Sequence, residues 1–179
     1  MSRNLKLMLL LMLLLGLTAC STITSTDKVS AQGAEPWVLL PIQNFSSTPL
    51  AGEKVLTLLE TQLRARGVAQ IASFEPAEKL SLVALLDPSE QTEQATRWAR
   101  DSGARYAISG TVHEWHYKTG TDKEPAVGLT LKLSDVSSGT VLWQGSAART
   151  GLGYSNLSII GNKVISDLLS KIQITGVAQ

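Results

Sequence analysis

The sequence predicts an α+β fold, a two-layer sandwich of order β-α-β-α-β-β-β-α with helices packed on one face of a mixed sheet. Three observations predict it. Trp37-Val38-Leu39-Leu40 is a short continuous apolar run, the pattern of a strand buried on both faces. Val127, Leu129, Leu131 and Leu133 alternate with Gly128, Thr130, Lys132 and Ser134, the clearest period-two pattern in the chain. Leu157, Ile160, Val164, Ile165, Leu168, Leu169 and Ile172 recur along one side of a helix that starts near Ser155 or Asn156.

The remaining elements follow in order. After the Trp37 strand and a polar loop over Gln43–Thr48, Thr48-Pro49 reads as N-cap and first helical residue. Val55, Leu56, Leu59 and Leu63 keep helical spacing up to Arg66, where Gly67 suits a left-handed stop. Val68–Phe74 is a second strand, and Glu75–Leu86 is apolar without a period. Asp87-Pro88-Ser89-Glu90 combines a cap, a proline and an acidic third position, and so starts a helix that buries Ala95, Trp98 and Ala99 and ends near Gly103. Tyr106, Ile108, Gly110 and Val112 then alternate as a strand. A polar hairpin loop, Tyr117–Pro125, leads to the Val127 strand, and the turn Ser137-Ser138-Gly139-Thr140 leads into the Val141-Leu142-Trp143 strand.

The N-terminus is of another kind. Arg3 and Lys6 precede the eleven-residue apolar stretch Leu7–Leu17, which is a secretory leader over residues 1–19 and too short to span a bilayer comfortably. Its end, Leu17-Thr18-Ala19-Cys20, looks like the lipobox at which bacterial lipoproteins are cut and acylated. Cys20 is therefore expected to carry a covalent lipid and no other cofactor. Ser21 follows the cysteine, where an aspartate would resemble an inner-membrane retention signal, so the expected address is the periplasmic face of the outer membrane. Residues 20–36 contain only Ile23 and Val29 as sizeable apolar groups and are expected to form a flexible tether reaching about 20 Å. A single periplasmic domain is expected over 37–179.

Composition excludes several classes. The full chain has 179 residues, room for one ordinary domain, and one cysteine, so no intramolecular disulfide framework or cysteine-cluster zinc site forms. Sixteen basic and fifteen acidic residues give +1, and loss of Arg3 and Lys6 with the leader takes this to −1. A nucleic-acid binder would carry a basic excess. His113 and His116 are three apart on an expected strand, which sends them to opposite faces, whereas a zincin needs histidines four apart on a helix. No metal site and no catalytic residues are expected. No Gly-x-Ser-x-Gly elbow occurs, and Gly151-Leu152-Gly153 lacks the layout of a phosphate-binding loop. Trp37, Trp98, Trp115 and Trp143 fall on strands and a helix face, so they are read as core and not as a sugar-stacking platform.

Particular blocks carry a resemblance. Trp37-Val38-Leu39-Leu40-Pro41, the helix start Thr48-Pro49-Leu50-Ala51-Gly52-Glu53 and Ala104-Arg105-Tyr106-Ala107-Ile108-Ser109-Gly110 resemble the PelC family. Glu114-Trp115-His116-Tyr117-Lys118, Glu124-Pro125-Ala126-Val127-Gly128-Leu129 and Val141-Leu142-Trp143 match it best. The likeness covers nearly all of Trp37–Lys171. PelC proteins are outer-membrane lipoproteins of Pel exopolysaccharide export in biofilm formation, and the element order is shared with CsgG, the TolB N-terminal domain and LpoB. The resemblance implies a non-enzymatic ring of twelve subunits, with a PelB-like porin and a cationic polysaccharide as partners. It assigns polymer guidance to Asp122 and Glu124, flanked by Lys118 and Lys123. It assigns membrane contact to Leu152 and Tyr154, standing where the family offers a larger aromatic. The alternative from another class is a monomeric LpoB-like adaptor that activates a peptidoglycan synthase. That role calls for a long arm across the periplasm.

Overall fold

The computed structural model describes residues 21–75, 88–120, 123–152 and 154–176. Its elements are β1 (Ser21–Ser25), β2 (Val29–Gln32), β3 (Pro36–Asn44), α1 (Ala51–Ala65), β4 (Gln70–Ser73), α2 (Pro88–Asp101), β5 (Tyr106–Tyr117), β6 (Pro125–Asp135), β7 (Val141–Thr150), α3 (Leu157–Leu169) and β8 (Ile172–Thr175). The fold is α+β. Six strands form one mixed sheet in the order β1-β7-β6-β5-β3-β4, and β2 and β8 form a separate parallel pair. β3 runs parallel to β4 and β5, and the other neighbours in the large sheet are antiparallel.

The expected tether is the first correction. Ser21–Ser25 pairs along the whole of its length with Arg149–Gly145 of β7, and Val29–Gln32 pairs with Ile172–Thr175. The segment is too polar to make a core of its own. It needs none, because it satisfies its backbone on strands that the rest of the chain supplies, and its β-branched Thr22, Ile23 and Thr24 suit extended backbone. Ala31 is buried, and Val29 packs against the core. Among the described residues, strand pairing is thus already present at Ser21, well before Trp37.

The face on which α2 packs is the second correction. Trp37 and Leu39 of β3 point into a core formed with α1, α3 and the alternate residues of β5, β6 and β7. Val38 points the other way, into a smaller cluster with Ala99, Ala104, Ala107 and Val136, where α2 covers the sheet. The continuous apolar run of β3 requires cover on both faces, so one helix must cross to the far side. Farther along the sheet α2 leaves that face open, and Thr22, Thr24, Lys132, Gln144 and Ser146 are exposed there.

Local chemistry sets the ends of the helices. Asn156 caps α3 as expected, its side-chain oxygen accepting from the Ile159 amide at 2.9 Å. Thr48 does not cap α1, because its hydroxyl donates to the Trp115 carbonyl. Leu50 takes the cap position in a left-handed conformation, φ 58°, without a side-chain cap bond. Ile172, expected on the last helix, lies in β8. Gly67, with φ 93°, ends the α1 turn. The residues from Pro76 to Asp87, including most of the aperiodic stretch, lie outside the described residues.

Trp37, Trp115 and Trp143 are fully buried, while Trp98 is half-buried edge-on to Phe74 at 5.6 Å. Trp115 packs so closely on α3 that a Cβ at Gly161 would stand 2.5 Å from its ring. Trp115→Ala is expected to cost about 3–5 kcal/mol, the range for emptying an aromatic site in a packed core. Urea unfolding of the folded domain measures it.

Asp135 ends β6 and orders the β6–β7 turn. Its Oδ1 accepts from the Ser137 hydroxyl at 2.6 Å and from the Ser138 amide at 2.9 Å, and its Oδ2 lies 3.0 Å from Arg105 Nη2. These bonds, led by Ser137, hold the carboxyl down from 3.8 to about 2, against the opposing effect of burial. A depressed acid stabilises the fold above its unfolded value and loses that contribution as pH falls through its folded value. The domain should therefore lose stability between about pH 4 and pH 2, and Asp135→Asn should flatten that part of the profile in thermal melts across pH.

Candidate functional site

Strand register gathers one end of the large sheet. Ser21, the residue after Cys20, stands opposite Arg149, one position before the end of β7. Thr150 pairs with Ala126 at the start of β6, and Pro125 pairs with Tyr117 at the end of β5. Four strand ends and two loops therefore lie together. Cys20 itself lies outside the described residues, but the chain leaves this end of the sheet toward it.

The first loop joins β7 to α3. The Gly151 amide donates to the Pro125 carbonyl at 2.9 Å, and the Ser155 amide donates to the Leu152 carbonyl at 2.8 Å. Gly151 is required here, since a Cβ would come within 2.7 Å of Ile160 and 2.9 Å of Ser155. This tight path turns Leu152 and Tyr154 out to solvent, Tyr154 at 87% exposure. Tyr117 is also exposed, as is Ile159 in the first turn of α3. Beside them runs the β3–α1 loop, tied to β5 where Thr48 donates to Trp115, and its Leu50 is 64% exposed. Sequence spacing did not single out Leu50 or Tyr117. Leu50 looks like an ordinary helix residue until its left-handed backbone and displaced cap are known.

The second loop is the β5–β6 hairpin. The Lys118 amide donates to the Glu124 carbonyl at 2.8 Å, and Lys118 Nζ lies 3.3 Å from Glu124 Oε2. Gly120 and Lys123 both take positive φ, 151° and 42°. Asp122 lies outside the described residues. The structure thus brings Glu124 to the same end as Leu152 and Tyr154, with its carboxylate already paired to Lys118.

Arg149 sits behind this end, its Nη2 2.7 Å from Asp167 Oδ2 on α3. The histidine expectation needs correcting. A bulge in β5 between Val112 and Glu114 shifts the alternation, so His113 and His116 share the open face of the sheet. His113 Nε2 lies 2.8 Å from Thr130 Oγ1, and the Thr130 hydroxyl donates on to Ser146 Oγ at 3.2 Å. Among the described residues no group of three or more His, Cys, Asp or Glu is placed to hold a metal ion. No described helix is long and apolar enough to cross a membrane.

The class is set by sequence: residues 19–148 match the family model described as peptidoglycan-synthase activator LpoB. Two crystal forms of a PelC dodecamer from Paraburkholderia phytofirmans, one of them a single-residue variant, match more closely. Each is 34% identical over 87% of this chain and 99% of that chain, with TM-scores of 0.72 and 0.74. Lipoprotein GNA1162 from Neisseria meningitidis shares the fold at 17% identity, covering 80% of this chain and 96% of that one with a TM-score of 0.50. No curated protein sequence matches the chain. The chain belongs to the LpoB family by that model and to the PelC proteins by its identity to the Paraburkholderia protein.

The Lys118–Glu124 pair is a partly exposed surface bridge, a kind that contributes about 0–1 kcal/mol. Glu124→Gln should accordingly shift unfolding by no more than about 1 kcal/mol, so any larger effect on function reports charge and not folding. Thermal melts beside a functional assay make the comparison.

Proposed function

We propose that this protein is a non-enzymatic, lipid-anchored component of Pel-type exopolysaccharide export. About twelve copies form a ring at the periplasmic face of the outer membrane and guide a cationic polysaccharide toward a PelB-like porin. The membership in PelC supports the pathway, and the dodecamers solved for the Paraburkholderia protein support the ring. The observation that carries the membrane side is the register of β1. It starts at Ser21, so acyl chains on Cys20 would enter the bilayer beside Leu152, Tyr154, Tyr117 and Leu50.

The physics fits an anchored, upright subunit. Each buried methylene of an acyl chain contributes about 0.8 kcal/mol, and several chains together hold a protein durably. Tyrosine suits the headgroup layer, having an apolar ring and a polar tip. Leu152 and Leu50 add apolar area beside the anchor. In a ring, each acidic group is repeated around one mouth, and a concave field of one sign concentrates the opposite charge. Asp122 and Glu124 are the groups assigned to this guidance. Lys118 already holds Glu124, so an incoming ammonium group would exchange with that lysine, and Asp122 is the first acid to test.

The LpoB family model favours the second reading, a synthase activator. Such an adaptor must reach across the periplasm, and pairing from Ser21 onward leaves this chain no free arm between the anchor and the sheet. The geometry favours a protein held against its membrane.

Two experiments test the proposal. Leu152→Asp together with Tyr154→Asp should weaken binding of the unlipidated domain to phospholipid vesicles in a flotation assay several-fold or more. Unchanged flotation would remove this end as the membrane face. In a host whose Pel system lacks its own PelC, this chain should restore polymer export, and Asp122→Lys should lower it at equal protein level. Failure to restore export, with stimulation of a purified peptidoglycan synthase, would favour the adaptor.

A further inference from the structure

Among the described residues, the large sheet ends in two edges that no further strand joins, β1 on one side and β4 on the other. We propose that the β1 edge of one copy adds to the β4 edge of the next, so that the ring closes by strand pairing between second copies of this chain. This inference rests on the ring assembly proposed above and names the surface that makes it.

Backbone bonding shows which groups are open. The Thr26 amide donates to the Gln144 carbonyl at 2.9 Å, in register with the β1–β7 ladder. Bonded and non-bonded pairs alternate in an antiparallel ladder, so Thr22 and Thr24 face β7, while Ser21, Ile23 and Ser25 turn their N–H and C=O groups outward. On β4, the Phe74 amide donates to the Leu39 carbonyl at 3.0 Å, which turns Ile71 and Ser73 outward. Arg64 Nη2 already donates to the Ile71 carbonyl at 3.3 Å, leaving Ser73 and the Ile71 amide.

The protection at β4 is limited to its four-residue length and to Arg64 on the Ile71 carbonyl. Ser21–Ser25 and Gln70–Ser73 contain no charged residue and no proline, the devices that keep free edges from pairing. The occupant follows from symmetry. A closed ring needs a heterologous contact between two different patches of one subunit, and the two edges of one sheet are such a pair. Their polarity agrees as well. Counting through the sheet, β1 runs opposite to β4. A rotation about an axis along the strands keeps those directions, so β1 would meet the neighbour's β4 antiparallel. With the Tyr154 end on the membrane the strands stand upright, and the sheet edges face sideways, the direction in which a ring on a membrane grows.

The test uses the full chain, expressed with its leader and extracted in mild detergent. Native mass of the unaltered protein should be near twelve subunits. Ile23→Pro removes only an outward N–H, and Ile23→Lys adds a charge at the edge. Both should shift the mass to a single subunit with the circular dichroism melt little changed. Thr24→Pro, which breaks the internal ladder, should lower the melt itself. The double variant Ile23→Cys with Ser73→Cys, treated with a short bismaleimide, should give a ladder beyond the dimer, and neither single variant should exceed the unaltered protein. A ring that persists in both Ile23 variants, or cross-linking by Ile23→Cys alone, overturns the edge contact and leaves the ring standing. A monomeric unaltered protein overturns both.

Discussion

The antiparallel pairing of Ser21–Ser25 with β7 is the constraint on which the functional geometry depends. A polar segment with one sizeable apolar side chain gains its order from backbone hydrogen bonds, because β7 offers a row of groups that would otherwise need water. The consequence is positional. The chain leaves the sheet toward Cys20 at a fixed place, beside Gly151 and the start of β6. Ser21 is then held opposite Arg149, at the end of the sheet that also carries Leu152, Tyr154 and the β5–β6 hairpin. An anchor on slack chain would let the domain tumble; an anchor joined to a strand orients it.

The rest of the fold supports that end. β6 and β7 are amphipathic, with one face in the core against α3 and α1 and the other face open. The bulge after Val112 keeps Trp115 in the core while β5 continues to Tyr117, well past the end of β3. The packing of Trp115 against Gly161 fixes α3 on the sheet, and the Asn156 cap fixes where α3 begins. Leu152 and Tyr154 occupy the short stretch between two rigid elements, so their exposure is imposed by structure on both sides. Glu124 and the exposed Leu152 and Tyr154 are in this way neighbours at one end of the subunit.

Much of this was legible in the residues. The period-two run of β6 and the helical stripe of α3 announced themselves because each buries one face only. The Asp87-Pro88 helix start gave the onset of α2, though that element proved to cover the opposite side of the sheet. What escaped detection depended on distant partners. The pairing of β1 cannot be read from Ser, Thr and Ile, since its energy lies in the backbone of β7, more than a hundred residues away. Thr48 looked like a cap until Trp115 claimed its hydroxyl. His113 and His116 were assigned to opposite faces because a bulge leaves no mark in a simple alternation. Ile172 kept the helical spacing of α3, yet it pairs with Val29 in a strand. Of the candidate site, the Leu152–Tyr154 loop was visible as a motif, but its place beside the start of β1 was not.

In the proposed arrangement the end of the sheet at Ser21 faces the lipid and the strands stand upright upon it. Depth measurement by spin labels in the lipidated chain, reconstituted in phospholipid vesicles, tests this most directly. Labels replacing Tyr154 and, in a separate variant, Leu142 at the far end of β7 would be compared for access to oxygen and to a water-soluble relaxing agent. The label at 154 should lie in the headgroup layer and the label at 142 in water about 30 Å farther out, the span of a nearly ten-residue strand. Equal exposure of both labels to water, or a buried label at 142, would contradict it.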